Sequence, residues 1–324
     1  MLTAGLNVCA GIDAGSSCSK IAYSDNLGTR IIAETEGFDA VALREEAEIF
    51  FDEPVFSCVI AVSDSLNSRQ RDTLKRQAVN AGFRDVKIIG AFEAVSFWLG
   101  DEARTLVYDF GASKSSIFVI EGGEVLESVV LDDVCGDSFD RIFAEYLCER
   151  RLLKKVNNEL IREARRLKHV LSESTSRSWH NVNIYREDFE RLIYFSVKRA
   201  LHTVNRLRRV RKPERFVLTG GCAKIPLVRE FLCDIFADAD GIIAKGAAMR
   251  ALELTKQTQQ QARKNLSDTA SRMREIRTEI LRIEDKLTRQ QKDRLYVLFK
   301  QAEGINDSGA VTLMENLISE IRNI

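Results

Sequence analysis

Apolar and polar residues alternate along three short segments near the start of the chain, and this pattern predicts three β-strands. The same arrangement returns later in the chain. The first copy comprises Val8–Ile12, Lys20–Ser24 and Ile31–Glu34, and the second comprises Thr105–Glu121, which holds two strands, and Val125–Leu131. In both copies an acid ends the first strand and a glycine follows two residues later. A duplicated unit of this kind predicts two similar lobes that face a cleft.

The segments between and after these strands predict helices and buried strands in alternation, which is typical of a parallel crossover arrangement. The first half contains helices Ala40–Phe51, Ser63–Ala81 (capped by Ser65 or Ser68 and ended by Gly82) and Ala91–Leu99, with apolar strands Val55–Val62 and Val86–Gly90. The second half contains a helix from Gly136 to about Arg150 (capped by Asp137 or Ser138), helices Asn158–Leu171 and Arg186–Arg209, strands His180–Tyr185 and Arg215–Thr219, a helix ending near Phe236, and one starting near Ile242.

The C-terminal part of the sequence has a helical pattern throughout, after a polar stretch at Thr255–Lys264. Its apolar residues recur at three- and four-residue spacing in three stripes. The stripes run over Leu266–Leu287, Leu295–Ala302 and Val311–Ile321, and Gly304–Asp307 breaks the pattern before the last. Three amphipathic helices predict a small bundle or coiled coil.

The composition of the chain makes several classes of protein improbable as matches for it. The 324 residues are 45% hydrophobic, which is sufficient for two or three domains with real cores. The 48 basic and 48 acidic residues leave no net charge, and the basic clusters lack interleaved aromatic residues, so we do not expect nucleic-acid binding. The apolar runs are too short to cross a membrane. The seven cysteines form no C-x-x-C pair and fit reduced thiols in a cytoplasmic protein.

The turn after the first strand has the residues of a phosphate-binding loop. Gly15 allows backbone N–H groups to approach an anion, and Ser16 and Ser17 add hydroxyl groups. Asp13, at the strand end, is placed to face Mg²⁺ through water. An ordinary hairpin with a Gly-Ser turn is the alternative, and the second copy, Asp109-Phe-Gly111-Ala112-Ser113, favours the phosphate loop.

A second glycine turn follows the strand Arg215–Thr219. Gly220-Gly221 would expose backbone and a helix N-terminus to a ligand, or else form a tight corner between a strand and a helix. Further on, Gly246-Ala247-Ala248 are small residues that allow a helix to approach another backbone closely.

Five motifs in this order resemble the nucleotide-binding domain of the heat-shock-protein-70 (DnaK) family. They are D-A-G-S-S (13–17), D-F-G-A-S (109–113), G-D-S-F-D (136–140), L-T-G-G-C-A-K-I-P (218–226) and K-G-A-A-M-R-A (245–251). The resemblance implies a duplicated α/β, ribonuclease-H-like (actin-like ATPase) domain of two lobes, followed by an α-helical bundle similar to the family's lid. We predict the nucleotide-binding domain over residues 1–254 (lobe I about 1–102, lobe II about 103–240, return helix 241–254) and a lid-like domain over 255–324.

The resemblance also implies a site for ATP or ADP with Mg²⁺. The residues implied are Asp13 and Asp109 for the metal, Gly15, Ser16, Ser17, Gly111, Ala112 and Ser113 for the phosphates, and Lys168, His169, Ser172, Gly220, Gly221, Lys224 and Asp240 for the adenosine side.

The sequence also departs from the family pattern. The short segment between Ser24 and Val55 leaves out a subdomain that carries a phosphate-contacting lysine. Ala91 stands where the family has an acid that positions the attacking water, and Lys114 and Ser116 replace a threonine and an aspartate. The β-sandwich that grips peptides is also missing before the helices. We therefore predict weak or absent hydrolysis.

Two lysines, Lys20 and Lys114, are candidates for contact with the phosphates. Lys20 follows Asp13 by the spacing at which actin places a phosphate-binding lysine, and it either reaches the phosphates or faces solvent. Lys114 would act as a built-in cation, either neutralising the nucleotide or competing with Mg²⁺ for the aspartates.

Three functional hypotheses follow. The first is a DnaK-like ATP-binding switch or chaperone-like factor that binds a protein partner through its C-terminal helices. The second is a catalytically inert pseudo-ATPase scaffold, favoured by Ala91 and Lys114. The third is an actin-like polymer-forming ATPase, suggested by Lys20 and the short segment after Ser24.

Overall fold

The computed structural model describes residues 9–100, 102–232, 237–238, 240–283, 287–305 and 308–322. Tertiary contacts divide the chain into two units, Met1–Leu252 and Glu253–Ile324. This division lies two residues before the boundary predicted between 254 and 255. The predicted end of a helix near Phe236 falls outside the described residues.

The first sheet has the order β3-β2-β1-β4-β5. β1 is antiparallel to β2, and β2 to β3, whereas β1, β4 and β5 are parallel. Its strands are β1 (Cys9–Asp13), β2 (Cys18–Asp25), β3 (Gly28–Glu36), β4 (Ser57–Val62) and β5 (Asp85–Gly90), and its helices are α1 (Ala40–Phe51), α2 (Ser68–Asn80) and α3 (Ala91–Leu99). Only α1 lies between β3 and β4, as the short segment in the sequence predicts.

The second sheet repeats this order as β8-β7-β6-β11-β12, with the same directions. Its strands are β6 (Thr105–Phe110), β7 (Ser115–Glu121), β8 (Glu124–Leu131), β11 (Arg215–Thr219) and β12 (Ala237–Asp238). The helices between these strands are α4 (Gly136–Arg150), α5 (Asn158–Glu173), α6 (Arg186–Arg211) and α7 (Pro226–Leu232), and a 3₁₀ turn spans Gly221–Lys224. The predicted fold class, a duplicated α/β unit followed by helices, is confirmed.

Besides shifts of a few residues in the bounds of other elements, three predictions about caps and strand number are wrong. Helix α2 starts at Ser68, because Asn67 caps it and forms a reciprocal capping box with Gln70; neither Ser65 nor Ser68 is the cap. Helix α4 starts at Gly136 without a side-chain cap, so neither Asp137 nor Ser138 has that role. The single strand predicted at His180–Tyr185 is a hairpin of β9 (Ser176–Trp179) and β10 (Val182–Tyr185).

Each lobe has a hydrophobic core of its own. The core of the first lobe includes Ile12, Leu43, Ile60 and Phe83, all from residues before Gly90. The core of the second lobe includes Phe110 and Phe189, with all its buried members between Leu106 and Leu232. Central strands buried on both faces explain the nearly continuous apolar runs in the sequence.

Helix α8 (Ile242–Ile283) begins against the first lobe through its small residues. A Cβ added to Gly11 in β1 would lie 2.0 Å from the backbone nitrogen of Ala248, and one added to Gly246 would lie within 1.8 Å of the carbonyl oxygen of Ala94 in α3. The structure therefore confirms the predicted close approach of Gly246-Ala247-Ala248 to another backbone.

The C-terminal unit contains the rest of α8, α9 (Arg289–Ile305) and α10 (Ser308–Arg322). The polar stretch Thr255–Lys264 is part of α8. The three apolar stripes meet in one cluster that includes Ile276, Leu295 and Met314. Arg272 of α8 donates to Glu315 of α10 at 2.8 Å, which links the first and last helices of the bundle. Among the described residues, no helix is long and apolar enough to span a membrane.

Candidate functional site

The first loop, Asp13–Ser17, follows β1 at the edge where β4 also ends. Because β1 and β4 are parallel, Asp13 pairs with Ala61, and the amide of Ala14 donates to the carbonyl of Ala61 at 2.9 Å. Gly15 is needed by the turn, since an added Cβ would lie 2.2 Å from the carbonyl oxygen of Cys18. Ser16 is exposed, so the loop presents its hydroxyl outward.

The second loop, Asp109–Ser113, is held by the N-terminus of α4. The amides of Gly136 and Asp137 donate to the carbonyls of Gly111 and Ala112 at 3.1 and 2.7 Å. Ser113 is exposed. The ammonium group of the neighbouring Lys114 lies 3.4 Å from Asp132, so this side chain is paired within its own lobe.

Asp13 and Asp109 come from equivalent strands of the two lobes, and the charge of Asp109 acts on Asp13. Burial, and then the charge of Asp109, raises the pKa of Asp13 to about 7. Burial raises the pKa of Asp109 to about 6. Two facing carboxyl groups that are expensive to ionise are a place where a cation is favourable.

Asp13 and Asp109 suit Mg²⁺ better than they suit a metal that needs three or more protein ligands. Among the described residues, no group of three or more His, Cys, Asp or Glu side chains could hold a metal ion. Mg²⁺ commonly keeps several waters and takes one or two carboxylates together with substrate phosphates. The donor set formed by Asp13 and Asp109 has this character.

Lys20 lies beside the first loop, because it is the cross-strand partner of Asp13 in β2. Its ammonium group donates to Asp240 at 2.6 Å and lies 3.8 Å from Glu34. Lys224 also approaches Asp240, at 3.4 Å. The side chain of Lys20 is only 14% exposed, so the structure does not support a lysine that simply faces solvent.

The glycine turn after β11, predicted for the adenosine side, lies against the second acid, Asp109. Gly220 has φ +92°, and an added Cβ would lie 2.4 Å from the carbonyl oxygen of Phe110 and 2.8 Å from a carboxylate oxygen of Asp109. Only glycine permits both the backbone conformation and the approach. Gly221 has no neighbour that an added Cβ would meet within 4 Å.

The three predicted residues of α5 have different surroundings. Lys168 is buried; its ammonium group lies 2.5 Å from Asp140 and donates to the carbonyl of Gly136 at 3.2 Å. Ser172 donates to the carbonyl of Lys168 within the helix. His169 lies at the surface. Its pKa is lowered, first because part of the ring is shielded from water and then by the charge of Lys168. Of these three residues, His169 is the most accessible to a ligand.

Sequence reasoning missed Asp64, which lies beside Ala91 at the start of α3. A carboxylate oxygen of Asp64 accepts from the amide of Phe92 at 3.0 Å. Asp64 lies two residues beyond the end of β4, and the carboxyl ends of parallel strands meet at one edge of a sheet. That rule is the signal by which this acid could have been found.

The paired acids predict a pH-dependent stability. An aspartate whose pKa is higher in the folded than in the unfolded state favours folding at low pH, and this benefit is lost as the pH rises through about 7. We expect Asp13→Asn to raise the free energy of unfolding at pH 8 by a few kcal/mol, because each unit of pKa shift corresponds to about 1.4 kcal/mol. The gain should shrink as the pH falls from 7 towards 4.

The measurement is denaturant unfolding without metal or nucleotide, followed by tryptophan fluorescence, since both tryptophans, Trp98 and Trp179, belong to the first unit. Asp72→Asn is the matched control because Asp72 is exposed in α2. A stabilisation that is the same at every pH would contradict the assignment.

Comparison with known proteins agrees with this architecture. The family model described as Hsp70 protein matches residues 40–292. "Chaperone protein HscA homolog" of Haemophilus influenzae (strain PittGG) is 31% identical over 221 residues, which cover 60% of this chain and 36% of that protein.

Two further relatives extend the comparison. "Chaperone protein HscA homolog" of Rickettsia prowazekii (strain Madrid E) is 26% identical, over 76% of this chain and 44% of that protein. "Chaperone protein DnaK" of Thermosipho africanus (strain TCF52B) is 25% identical, over 67% and 44%. The chain thus spans 36–44% of the length of these relatives. The family match over most of the chain, together with the duplicated sheets, shows that this chain belongs to the Hsp70 family.

Proposed function

We propose that the first unit binds ATP and ADP with Mg²⁺ between its two phosphate loops and acts as a nucleotide-dependent switch with slow hydrolysis. The observation that carries the proposal is the equivalent position of Asp13 and Asp109 in the two lobes, close enough for the charge of Asp109 to act on Asp13. Bound Mg²⁺ would neutralise the developing charge on the phosphates. In this proposal Asp13 and Asp109 hold it, through water.

The phosphates would lie between the backbone amides of the two loops. Ser16 and Ser113 present exposed hydroxyl groups from either side, and Lys20 supplies a positive charge. Lys224, His169 and the Gly220-Gly221 turn would border the adenosine. We assign Lys168 a supporting role instead, because its ion pair with Asp140 and its bond to Gly136 hold α5 against the start of α4.

We further propose that a protein partner reads the nucleotide state through the C-terminal helices. Within the described part of that unit, four large apolar side chains are exposed, which supports an interaction role: Leu281, Tyr296, Val297 and Leu313. The relatives named above are chaperone proteins, and a chaperone-like role for this chain is part of the same proposal.

Calorimetric titration of Mg-ATP and Mg-ADP into the nucleotide-free protein tests the proposal. We expect clear binding of both nucleotides. We expect Lys20→Ala to weaken it about tenfold, because a charge-assisted hydrogen bond to phosphate is lost. Lys75→Ala is the matched control, since Lys75 is exposed in α2. Folded protein that binds neither nucleotide would instead support an inert scaffold.

A further inference from the structure

We infer that Asp64 is the residue that positions the water that attacks ATP. The inference rests on the nucleotide binding proposed above. It assigns a separate role, in hydrolysis alone, to a side chain that lies outside both phosphate loops.

A small cavity lies between the two lobes of the first unit. Its volume of about 20 Å³ is room for about one water molecule. The lining comes from both lobes and from the start of α8: Ser63, Asp64, Ala91, Phe92, Val95, Asp109, Ser116, Phe118 and Ile243. Apolar walls with a few polar groups are suited to holding a water in one orientation.

Asp109 connects this cavity to the proposed phosphate site. Its strand, β6, ends in the second phosphate loop, and its carboxyl group is one of the two assigned to Mg²⁺. A water in the cavity is therefore adjacent to the place where the terminal phosphate of ATP would lie. The polar residues that line the cavity are two aspartates and two serines, types of side chain that bond to water.

Two aspartates line the cavity, Asp64 and Asp109. Because Asp109 is assigned to the metal, Asp64 is the one left to act on the water. Ala91 offers a methyl group, and the two serines cannot accept a proton at neutral pH. A carboxylate that orients water and takes up its proton is a common means of general base catalysis.

Two contacts hold the carboxylate of Asp64 in place. One oxygen accepts from the amide of Phe92 at 3.0 Å. The other occupies the space beside Gly90, where an added Cβ would lie 2.0 Å from it. The second contact needs glycine at position 90, although φ of Gly90 is −77°, a value open to any residue. The glycine thus makes room for the carboxylate and is not required by the backbone.

The reaction step is simple. The water oxygen forms a bond to the γ-phosphorus while the bond from that phosphorus to the bridging oxygen of the β-phosphate breaks. The electron pair of the broken bond remains on ADP. The proton lost by the water passes to the carboxylate of Asp64 and then to solvent, so the products are ADP, inorganic phosphate and one proton.

Asp64→Asn is the first test. The amide oxygen of asparagine can still accept from the Phe92 amide, so this bond to the start of α3 remains, but the base is gone. We expect single-turnover hydrolysis of Mg-ATP to fall about 100-fold with the dissociation constant of ATP unchanged. Asp72→Asn should change neither quantity.

Gly90→Ala is an independent test, because its methyl group would displace the carboxylate without touching the reacting atoms. We expect a similar loss of hydrolysis, unchanged ATP affinity, and faster hydrogen exchange at the Phe92 amide, which Asp64→Asn should leave slow. The double variant should be no slower than either single variant, since both act through one carboxylate.

The outcomes separate the two proposals. If the wild-type protein binds ATP but does not hydrolyse it, or if Asp64→Asn hydrolyses as fast as wild type, the role of Asp64 is wrong and nucleotide binding stands. Losses that add in the double variant would also overturn it, because they would indicate two unrelated structural defects. If wild type binds no nucleotide, both proposals fail.

Discussion

Asp13→Ala is expected to weaken Mg-ATP binding by about 10- to 100-fold, the range found when a group that acts on a metal through other ligands is removed. Asp13 ends β1, and its charge interacts with Asp109 across the cleft. Without it, Asp109 alone would have to hold the hydrated metal. The loss should therefore be large for Mg-ATP and small for ATP titrated with a chelator present.

Calorimetry with and without Mg²⁺ measures this difference directly, and Asp72→Ala is the control. Loss of folded structure would not explain a weaker affinity, because removing the Asp13 charge is expected to stabilise the nucleotide-free protein at pH 8. Unchanged affinity in both Asp13→Ala and Lys20→Ala would refute the assignment of the cleft as the nucleotide site.

Gly11→Ala is expected to lower the free energy of unfolding of the first unit by about 3 kcal/mol, the upper end of the usual cost of overpacking. The added methyl would lie 2.0 Å from the backbone nitrogen of Ala248 and 2.5 Å from the carbonyl carbon of Ala247. These are backbone atoms of α8, so no side chain can rotate away. Either β1 or the helix must move.

Gly221→Ala adds the same methyl group where nothing lies within 4 Å and is the matched control. It should be neutral or slightly stabilising, as Gly→Ala is at unstrained positions. Both variants can be compared by denaturant unfolding with the tryptophan signal. Equal stability of Gly11→Ala and wild type would mean that α8 does not pack on β1 as described.

The sequence was sufficient to predict the two-lobed architecture, because the duplication places Asp13 and Asp109 at matching strand ends. Local signals were weaker. The turn at His180 and Asn181 has positive φ at both residues, the geometry of a two-residue hairpin turn, but the polar strand before it, Ser176–Trp179, hides the pattern. A strand exposed over most of its length lacks the alternation that identifies strands.

The site residues that lie together in one segment could be predicted from the sequence. The contacts between distant segments could not. The spacing of Lys20 from Asp13 identified it, but its partner, Asp240, is 220 residues away in sequence. Asp64 was missed because it appeared to belong to the start of a helix, whereas α2 begins four residues later, at Ser68. Its contact with Phe92 depends on the path of the chain between β4 and α3.

The separate cores of the two lobes have a consequence for how the chain folds. The buried residues of each lobe come from a continuous part of the sequence, so each core can form from its own stretch before the other is complete. Asp13 and Asp109 lie on strands of different lobes and approach each other only when both lobes are in place. The costly approach of two carboxyl groups is thus deferred until the two lobes come together.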